Sequence, residues 1–537
     1  MSANLSVINY GDLLTGIAPL FAYDMEGALP PAGAVDNGNW VQSTEWSKSG
    51  TKSVKMSHPL NGGGGAYWRP VGGVAKGWQV SLWARIVSLA EDGKCTRLIW
   101  AGDWDITYAS PMVQRSATKL YWGLSYYKNG VGDYVSTVEC FPNTDYYLQM
   151  IVGEEGNVHL HVNGILVASL SYGAATKFDV LGWGGFTDLN HGTAVFYIDD
   201  IKFYPTTLRG CMPARVDANT IVASANSGAS HSGFQTERFF KSTDGGRNFT
   251  LKDTGQIAGK STGSYGTIKF GADIYSFLAY FDNGAPYDYR GKIYKSTDSG
   301  ETRVECYDSP TAILIPTRIF NGTKILCARW EVSTWPTGSL VDSAWFDTAN
   351  NTLQVGGRLG TYNQSGWPLW APNECCFYRM QSNPSRLVAL LRWENSLNIK
   401  ISSSYSDDEG ATWSTPVEIT AWANRGGMVR AAFAKNELYV QAYHKIQLNI
   451  SMPNKHWRAD EITLATIGTD EYPIGQQILY MTEVGNGDIM AGQALNRLDS
   501  GITNNTAMFY ELLAADIPST FPAYSLIHRM QRQRRAA

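Results

Sequence analysis

The sequence is poor in charge, and its two signs are nearly balanced. Only 17% of its 537 residues are charged, and 44 basic against 48 acidic residues leave a net charge of -4. A nucleic-acid-binding stripe, a polybasic membrane anchor and a disordered acidic tail all need a larger excess of one sign. We therefore expect no nucleic-acid partner.

Long apolar runs, paired cysteines and catalytic signatures are also missing. No stretch reaches the ~18 apolar residues that span a bilayer, and residues 1–16 lack the basic and apolar regions of a signal peptide. The seven scattered cysteines form no CxxC pair, the eight histidines are sparse, and there is no P-loop, GxSxG or HExxH motif. The sequence predicts synthesis in a cytosol, free thiols, no membrane insertion, and neither metal nor cofactor.

Glycine and aromatic residues are abundant instead. The chain has 54 glycines, and aromatic residues make up 12% of it. Glycine supplies the turns between many short strands, and flat aromatic faces suit the stacking of sugar rings. The composition favours a turn-rich all-β protein.

Short alternating runs separated by Gly, Asn and Asp fill residues 21–204, and no helical period competes with them. Asn163 and Gly164 stand between two such runs, which is a strong hairpin signal. Residues 146–170 and 193–204 resemble the last strands of a laminin-G or concanavalin-like jelly roll. The resemblance implies a β-sandwich that is either a carbohydrate-binding module or a structural spacer.

A repeat follows from residue 206 onward. Apolar strands begin at intervals of 53, 51, 62, 51 and 51 residues, and their first apolar residues are Ile221, Ile274, Ile325, Leu387, Leu438 and Ile489. Six units of about 53 residues with strands and turns are typical of a radial repeat. The spacing predicts six blades.

A second motif, S-x-D-x-G-x-x-[W/F], has the same period. Two copies are complete, and the middle copy has Arg303 in place of the aromatic residue. The residues are Ser242, Asp244, Gly246 and Phe249; Ser296, Asp298 and Gly300; and Ser406, Asp408, Gly410 and Trp413. We expect Asp and Ser to cap backbone amides, Gly to take positive φ and the aromatic ring to pack beneath the turn.

These copies resemble the Asp box of sialidase-type, or BNR, propellers. The fold class is therefore expected to be all-β, with a concanavalin-like sandwich followed by a six-bladed β-propeller. The expected divisions are an N-terminal segment at 1–20, the sandwich at 21–205, the propeller at 206–520 and a C-terminal tail at 521–537.

Polar residues at the ends of the recurrent strands are the candidate site, because such ends line one mouth of a propeller. The sequence Arg-Trp-Glu occurs at two of these ends, as Arg329, Trp330 and Glu331 and as Arg392, Trp393 and Glu394, with Asp282 and His444 at others. We expect the glutamates to act as acid and base or as hydrogen-bond acceptors, the arginines to hold acidic groups, and the tryptophans to stack on sugar rings. Alternatively, each Arg and Glu form an internal ion pair and the indoles fill space between blades.

The loop before the fourth unit offers further candidates. Trp367 and Trp370 are expected to stack on sugar, and Glu374 is a third carboxylate. The sialidase resemblance also implies an Arg-Ile-Pro arginine in the first blade, where this sequence has Cys211. That substitution argues against ordinary exo-sialidase activity, so the sequence leaves open whether the chain is an enzyme.

Three functions remain open. The first is a virion protein, a bacteriophage tail-associated receptor-binding protein that recognises cell-surface glycans outside the cell, with other tail proteins as partners and a homotrimer as its assembly. The alternative is a glycoside hydrolase or depolymerase that cleaves surface polysaccharide. The third is a purely structural virion component.

Overall fold

The structure is a computed structural model. It describes residues 3–26, 34–36, 40–59, 64–68, 78–103, 107–128, 131–152, 157–163, 165–171, 180–185, 192–204, 208–228, 235–282, 289–334, 336–395, 398–419, 425–434, 437–444, 455–459, 466–471, 477–484, 488–496 and 503–516. The chain divides into two compact units, Ile17–Thr207 and a second made of Met1–Gly16 with Leu208–Ala537. The described residues form strands and one 3-10 turn, which confirms the all-β class. No helix among them is long and apolar enough to cross a bilayer.

The first part of the chain contains these elements: β1 Ala3–Asp12, the 3-10 turn Leu13–Gly16, β2 Phe21–Tyr23, β3 Ala34–Asp36, β4 Trp40–Ser43, β5 Ser53–His58, β6 Gly64–Trp68, β7 Trp78–Leu89, β8 Cys95–Arg97, β9 Ile99–Asp103, β10 Thr107–Ser116, β11 Lys119–Lys128, β12 Val131–Cys140, β13 Asp145–Val152, β14 Asn157–Val162, β15 Ile165–Ser171, β16 Val180–Gly185 and β17 Ala194–Tyr204. Strands β2 to β17 form two eight-stranded antiparallel sheets, with β7, β13 and β17 side by side in one of them.

Alternation along β7 shows why this unit forms sheets. Leu82, Ala84 and Ile86 are fully buried, whereas the residues between them are partly exposed, as the period of two requires. The predicted hairpin is present, since β14 and β15 pair antiparallel and Asn163 takes a left-handed φ of 52°. Asn163 also fixes the neighbouring strand, because its Oδ1 accepts from the Tyr147 amide at 2.8 Å.

The second unit contains β18 Leu208–Arg215, β19 Ile221–Gly228, β20 Gln235–Ser242, β21 Thr250–Gly255, β22 Lys260–Phe270, β23 Asp273–Asp282, β24 Arg290–Ser296, β25 Val304–Ser309, β26 Ala312–Asn321, β27 Lys324–Val332, β28 Ser339–Asp347, β29 Thr352–Thr361, β30 Ala371–Arg379, β31 Leu387–Asn395, β32 Asn398–Ser406, β33 Val417–Glu418, β34 Arg425–Ala434, β35 Glu437–His444, β36 Lys455–Ala459, β37 Thr466–Glu471, β38 Gln477–Val484, β39 Asp488–Asn496 and β40 Thr503–Asp516.

These strands form six four-stranded antiparallel sheets. Sheets 1 to 5 take four consecutive strands each, from β18–β21 to β34–β37, and sheet 6 consists of β38, β39, β40 and β1. The first strand of each sheet contacts the first strand of the next, and β38 contacts β18, so the six sheets close a ring. Residues 1–20 were expected to be a separate segment, but β1 pairs with β40 and completes sheet 6.

Three turns between third and fourth strands contain the repeated Ser-x-Asp motif; they are the Ser-x-Asp turns, residues 242–249, 296–303 and 406–413. In the last of them, Ser406 Oγ donates to Asp408 Oδ1 at 2.8 Å and accepts from the Gly410 amide at 2.8 Å. Gly410 has a φ of 82°. Hydrogen bonds, led by the Thr412 hydroxyl, lower the pKa of Asp408 to about 2. The expected capping and glycine conformation are therefore present.

The same contacts recur in the other two turns, where Gly246 and Gly300 donate to Ser242 and Ser296 at 2.9 Å each. Phe249 is buried beneath the first turn. Trp413 packs on Phe377 in the last. The aromatic residues therefore close the turns from below, as the motif predicts.

Candidate functional site

Both Arg-Trp-Glu segments lie near the ends of second strands, far from the Ser-x-Asp turns. Leu387, at the start of β31, pairs with Ser406 of the turn, whereas Glu394 pairs with Ile399 at the opposite end of the sheet. The segment in β27 lies at the same end of sheet 3, since Glu331 pairs with Leu340 near the start of β28. These strand ends are the predicted location of a site.

The two segments do not occupy equivalent positions in their sheets. Ile325 and Leu387 each face the preceding sheet, because Ile325 packs with residues of sheet 2 and Leu387 with residues of sheet 3. Arg329 is four residues after Ile325, but Arg392 is five residues after Leu387. Because side chains alternate along a strand, Arg329 faces sheet 2 and Arg392 faces sheet 5. In each segment the glutamate lies two residues after the arginine and therefore points to the same face.

This offset separates Glu331 from Glu394. They lie on the outward faces of two packed sheets, and packed sheets are ~10 Å apart before the side chains diverge. Acid and base carboxylates of inverting glycosidases are ~6.5–9.5 Å apart, and those of retaining enzymes are closer. This offset argues against one acid–base pair of Glu331 and Glu394, which stays a prediction.

The tryptophans of the two segments meet inside the interface between sheets 3 and 4. Trp330 and Trp393 belong to one core cluster, and Trp393 is fully buried. The indole of Trp393 donates to Ser402 Oγ at 2.8 Å and stacks on Trp367, with ring centroids 4.5 Å apart. The expectation that Trp330, Trp393 and Trp367 stack on sugar is wrong, because their faces are covered by protein.

Trp370 is partly exposed to solvent. It is half-buried in the loop leading to β30, edge-on to Trp367 at 6.4 Å. The Lys400 ammonium lies 5.1 Å from its ring centroid and pairs with Glu418 at 2.6 Å. Its role as a sugar platform stays a prediction.

Arg329 belongs to an internal ion-pair network. Its Nη1 donates to Asp342 Oδ2 at 3.0 Å, and its Nη2 donates to Glu331. Arg358 also donates to Asp342, which is almost fully buried. Two guanidinium groups face two carboxylates, so Arg329 has no spare charge for an acidic ligand.

Arg392 joins two carboxylates, and we call Arg392, Glu374, Glu394 and Asn373 the Arg392 cluster. Arg392 Nη1 donates to Glu374 Oε2 and Nη2 donates to Glu394 Oε2, each at 2.8 Å. Asn373 Nδ2 donates to the same Glu394 oxygen at 3.1 Å. The two glutamates are 14% and 22% exposed, so both reach the surface.

A β-bulge creates this arrangement. Pro372 pairs with Trp393 and Cys375 pairs with Leu391, so Asn373 and Glu374 together oppose Arg392 alone. Such a bulge re-aims side chains and is common beside binding sites. Sequence periodicity could not place Glu374 here, because the bulge interrupts the alternation on which a strand assignment depends.

The cluster keeps its guanidinium charged and leaves acceptors open. Burial lowers the pKa of Arg392, but Glu374 and Glu394 more than offset this, and the pKa is raised. Arg392 Nε is buried without a partner. In the described part of the chain, Oε1 of Glu374 and Oε1 of Glu394 bond to no protein group.

Cys211, which stands at the position of the sialidase arginine, and two arginines at the ends of first strands make contacts of their own. Cys211 is fully buried, and burial raises the pKa of its thiol. Arg379 pairs with Glu409 of a Ser-x-Asp turn at 2.7 Å, and Arg215 donates to the Ala218 carbonyl at 2.9 Å. These two arginines therefore serve turns at the end of the sheets opposite the Arg392 cluster.

Some sequence candidates lie outside the described residues. The backbones of Asp282 and His444 end β23 and β35, but their side chains are not described. The tail 521–537 lies outside entirely. Among the described residues, no three His, Cys, Asp or Glu side chains form a metal-binding group.

Three solved structures are distant likenesses of this chain. No protein-family model matches the sequence, and a search among curated proteins finds no match. NanB in complex with optactamide is 9% identical, with 92% of this chain and 99% of that chain covered and a TM-score of 0.42. The GH93 α-L-arabinofuranosidase of Fusarium graminearum with arabinobiose is 10% identical, covering 57% of this chain and 93% of its own, with a TM-score of 0.42. A carbohydrate esterase from the Shiga toxin-encoding bacteriophage phi24B is 14% identical, covering 35% and 98%, with a TM-score of 0.28. Similarities this distant do not establish what the chain does, because one fold can support many functions.

Proposed function

We propose that the chain acts on carbohydrate as a glycoside hydrolase and that the Arg392 cluster is its sugar site. Two partly exposed carboxylates, each bonded to a different Nη atom of one guanidinium, carry the proposal. Glu374 and Glu394 are separated by no more than the width of that guanidinium and two hydrogen bonds. A pair of nearby carboxylates is what hydrolysis of a glycosidic bond requires.

Hydrolysis also requires that the two carboxylates differ. One must give a proton to the leaving oxygen while the other acts as an anion. In the free protein Arg392 holds both glutamates in ion pairs. The proposal therefore requires that bound sugar separates one glutamate from Arg392, with sugar hydroxyls taking up the released hydrogen-bonding groups.

Glycan binding without cleavage is the second candidate. The double ion pair favours it, because binding needs no protonated acid and each free Oε1 can accept from a sugar hydroxyl. In this form the protein would be a virion tail-associated receptor-binding protein that meets cell-surface glycans, with other tail proteins as partners and a trimeric assembly. A purely structural virion role leaves the two open carboxylates without a use.

The proposed architecture is a concanavalin-like sandwich and a six-bladed propeller. The closed ring of first strands supports six blades, and the two eight-stranded antiparallel sheets support the sandwich. In this architecture the Arg392 cluster lies at the mouth of the propeller opposite the Ser-x-Asp turns. Substrates bind at such mouths because loops and strand ends converge there.

The proposal is tested on purified polysaccharides of bacterial surfaces. The full chain is incubated with each polysaccharide, and chain length is followed by size exclusion together with release of reducing ends. Shortened chains with new reducing ends support hydrolysis. Retention of the protein on an intact polysaccharide supports the receptor-binding candidate, and neither result on any polysaccharide overturns both.

Variants assign the activity to the site. Glu374→Gln and Glu394→Gln should each reduce cleavage by about 100-fold or more, the usual contribution of a catalytic acid or base. Asp407→Asn is the matched control, because it removes one carboxylate from the other end of the same sheet, where Asp407 pairs with Arg386 at the surface. Equal loss in the control would mean that the effect is structural.

A further inference from the structure

We infer that the Arg392 cluster accepts neutral glycans and discriminates against acidic ones. This rests on the proposed function of the same site and specifies its substrate class. The inference comes from the balance of charges at the end of sheets 3 and 4 where the Arg392 cluster lies. It reverses the sequence expectation that Arg392 holds an acidic substituent.

The Arg392 cluster has an excess of negative charge. Two carboxylates, Glu374 and Glu394, share one guanidinium, which leaves a net charge of one negative unit. Among the described residues at this end of sheets 3 and 4, the other charged groups balance one another. Arg329 and Arg358 are balanced by Glu331 and Asp342, and Lys400 is balanced by Glu418.

Arg392 is a poor clasp for a sugar carboxylate, because its guanidinium already pairs with two glutamates. A carboxylate is best held by two parallel N–H donors of one guanidinium. Both Nη atoms of Arg392 already bond to glutamates, and Nε is buried. Each Nη keeps one further N–H, so a uronic or sialic carboxylate would either share the guanidinium with both glutamates or displace one of them. In both cases it would lie beside at least one other anion in the same ion-pair group.

A neutral sugar meets no such cost. Its hydroxyls can donate to the free Oε1 of Glu374 and of Glu394, and its ring oxygens carry no formal charge. Hydrogen bonds from hydroxyls to ionised acceptors are stronger than bonds between neutral groups. The site therefore gains affinity from hydroxyls and loses it from added negative charge.

The experiment uses matched polysaccharides that differ only in charge. A sample of each uronic polysaccharide is divided into two portions. In one portion the carboxyl groups are chemically reduced to primary alcohols, which gives a neutral polysaccharide with the same linkages. Dissociation constants of the full chain for both portions are measured by affinity electrophoresis at low salt. We expect the neutral form to bind at least about tenfold more tightly, and the ratio to shrink in high salt, because salt screens repulsion between charges.

Glu374→Gln supplies the second arm. It removes the excess negative charge, so the neutral-to-acidic ratio should fall toward one, whereas Asp407→Asn should leave the ratio unchanged. Tighter binding of the acidic forms, or a ratio that does not respond to Glu374→Gln, overturns the inference while the proposed function stands. Failure to bind or cleave any glycan, matched pairs included, overturns the proposed function and the inference with it.

Discussion

Arg303 occupies the position that holds an aromatic residue in the other two Ser-x-Asp turns. Its guanidinium makes two hydrogen bonds with Glu237, one of them 2.9 Å long, and a third with Asp253 at 2.6 Å. It also lies 4.7 Å from the ring centroid of Phe239 and 5.1 Å from that of Tyr294. The planar guanidinium therefore replaces the missing ring and ties sheet 2 to sheet 1.

Removing Arg303 should destabilise the second unit strongly. Arg303→Ala leaves the fully buried Glu237 carboxylate without its partner, and breaking a buried pair from one side costs about 3–5 kcal/mol. Denaturant unfolding of the full chain measures the loss in the free energy of unfolding. Arg386→Ala, which breaks the exposed pair with Asp407, is the control and should cost less than ~1 kcal/mol.

His161 makes the stability of the first unit depend on pH. Burial, with a smaller contribution from His159, lowers the pKa of His161 to about 3. Unfolded histidine has a pKa near 6.5, so between these values the unfolded chain binds a proton that the folded chain excludes. Stability therefore falls as the pH falls through this window.

Between pH 7 and pH 5 the loss from His161 should be about 2 kcal/mol. His161→Gln keeps a polar side chain but cannot titrate, so its unfolding free energy should fall less over the same range. Unfolding of both proteins in denaturant at the two pH values provides the comparison. Parallel losses in both would show that His161 does not cause the pH dependence.

Strand interfaces decide which tryptophans are available to ligands. Trp393→Ala should destabilise the second unit by about 3–5 kcal/mol, because it opens a cavity between sheets 3 and 4. Trp370→Ala, in the loop before β30 and packed against the same core but half-buried, should cost less in stability. Thermal and denaturant unfolding of the two variants tests this. A larger loss from Trp370 than from Trp393 would contradict the described packing.

The strands of the second unit show which features could be predicted from the sequence and which could not. The repeat spacing and the turn motif located the strands, since both depend on local patterns. The offset between the two Arg-Trp-Glu segments was also readable: their strand starts are 62 residues apart, but the arginines are 63 apart, so one segment is shifted to the opposite face. The position of Glu374 was not readable, because a bulge leaves no periodic signal.

At the scale of the whole molecule, the ring of six sheets is completed by a pairing between distant parts of the chain. β1 adds the fourth strand of sheet 6 by pairing with β40, with Ala3 opposite Asp516. Repeat analysis misses this strand, because one copy of a pattern at the other end of the chain has no periodic partner. Closure of this kind joins the last repeat to the first segment and protects its edge.

Deleting residues 1–12 tests this closure. Without β1, the longer strand β40 replaces β1 as the edge of sheet 6 and loses its backbone partners, and exposed edges promote association. We expect a lower unfolding free energy for the second unit and association at high protein concentration, measured by denaturant unfolding and light scattering. Unchanged stability in the truncated chain would contradict a structural role for β1.

The position of a bound sugar tests the sugar site most directly. A crystal structure of Glu374→Gln or Glu394→Gln with an oligosaccharide of the polysaccharide that the parent chain cleaves or binds would show it. The expected result is sugar hydroxyls within hydrogen-bond distance of residues 374 and 394, with Arg392 released from one of them. Sugar bound elsewhere, with the Arg392 cluster intact and out of reach, would show that Glu374, Arg392 and Glu394 form a structural ion-pair network and that the function lies at another surface.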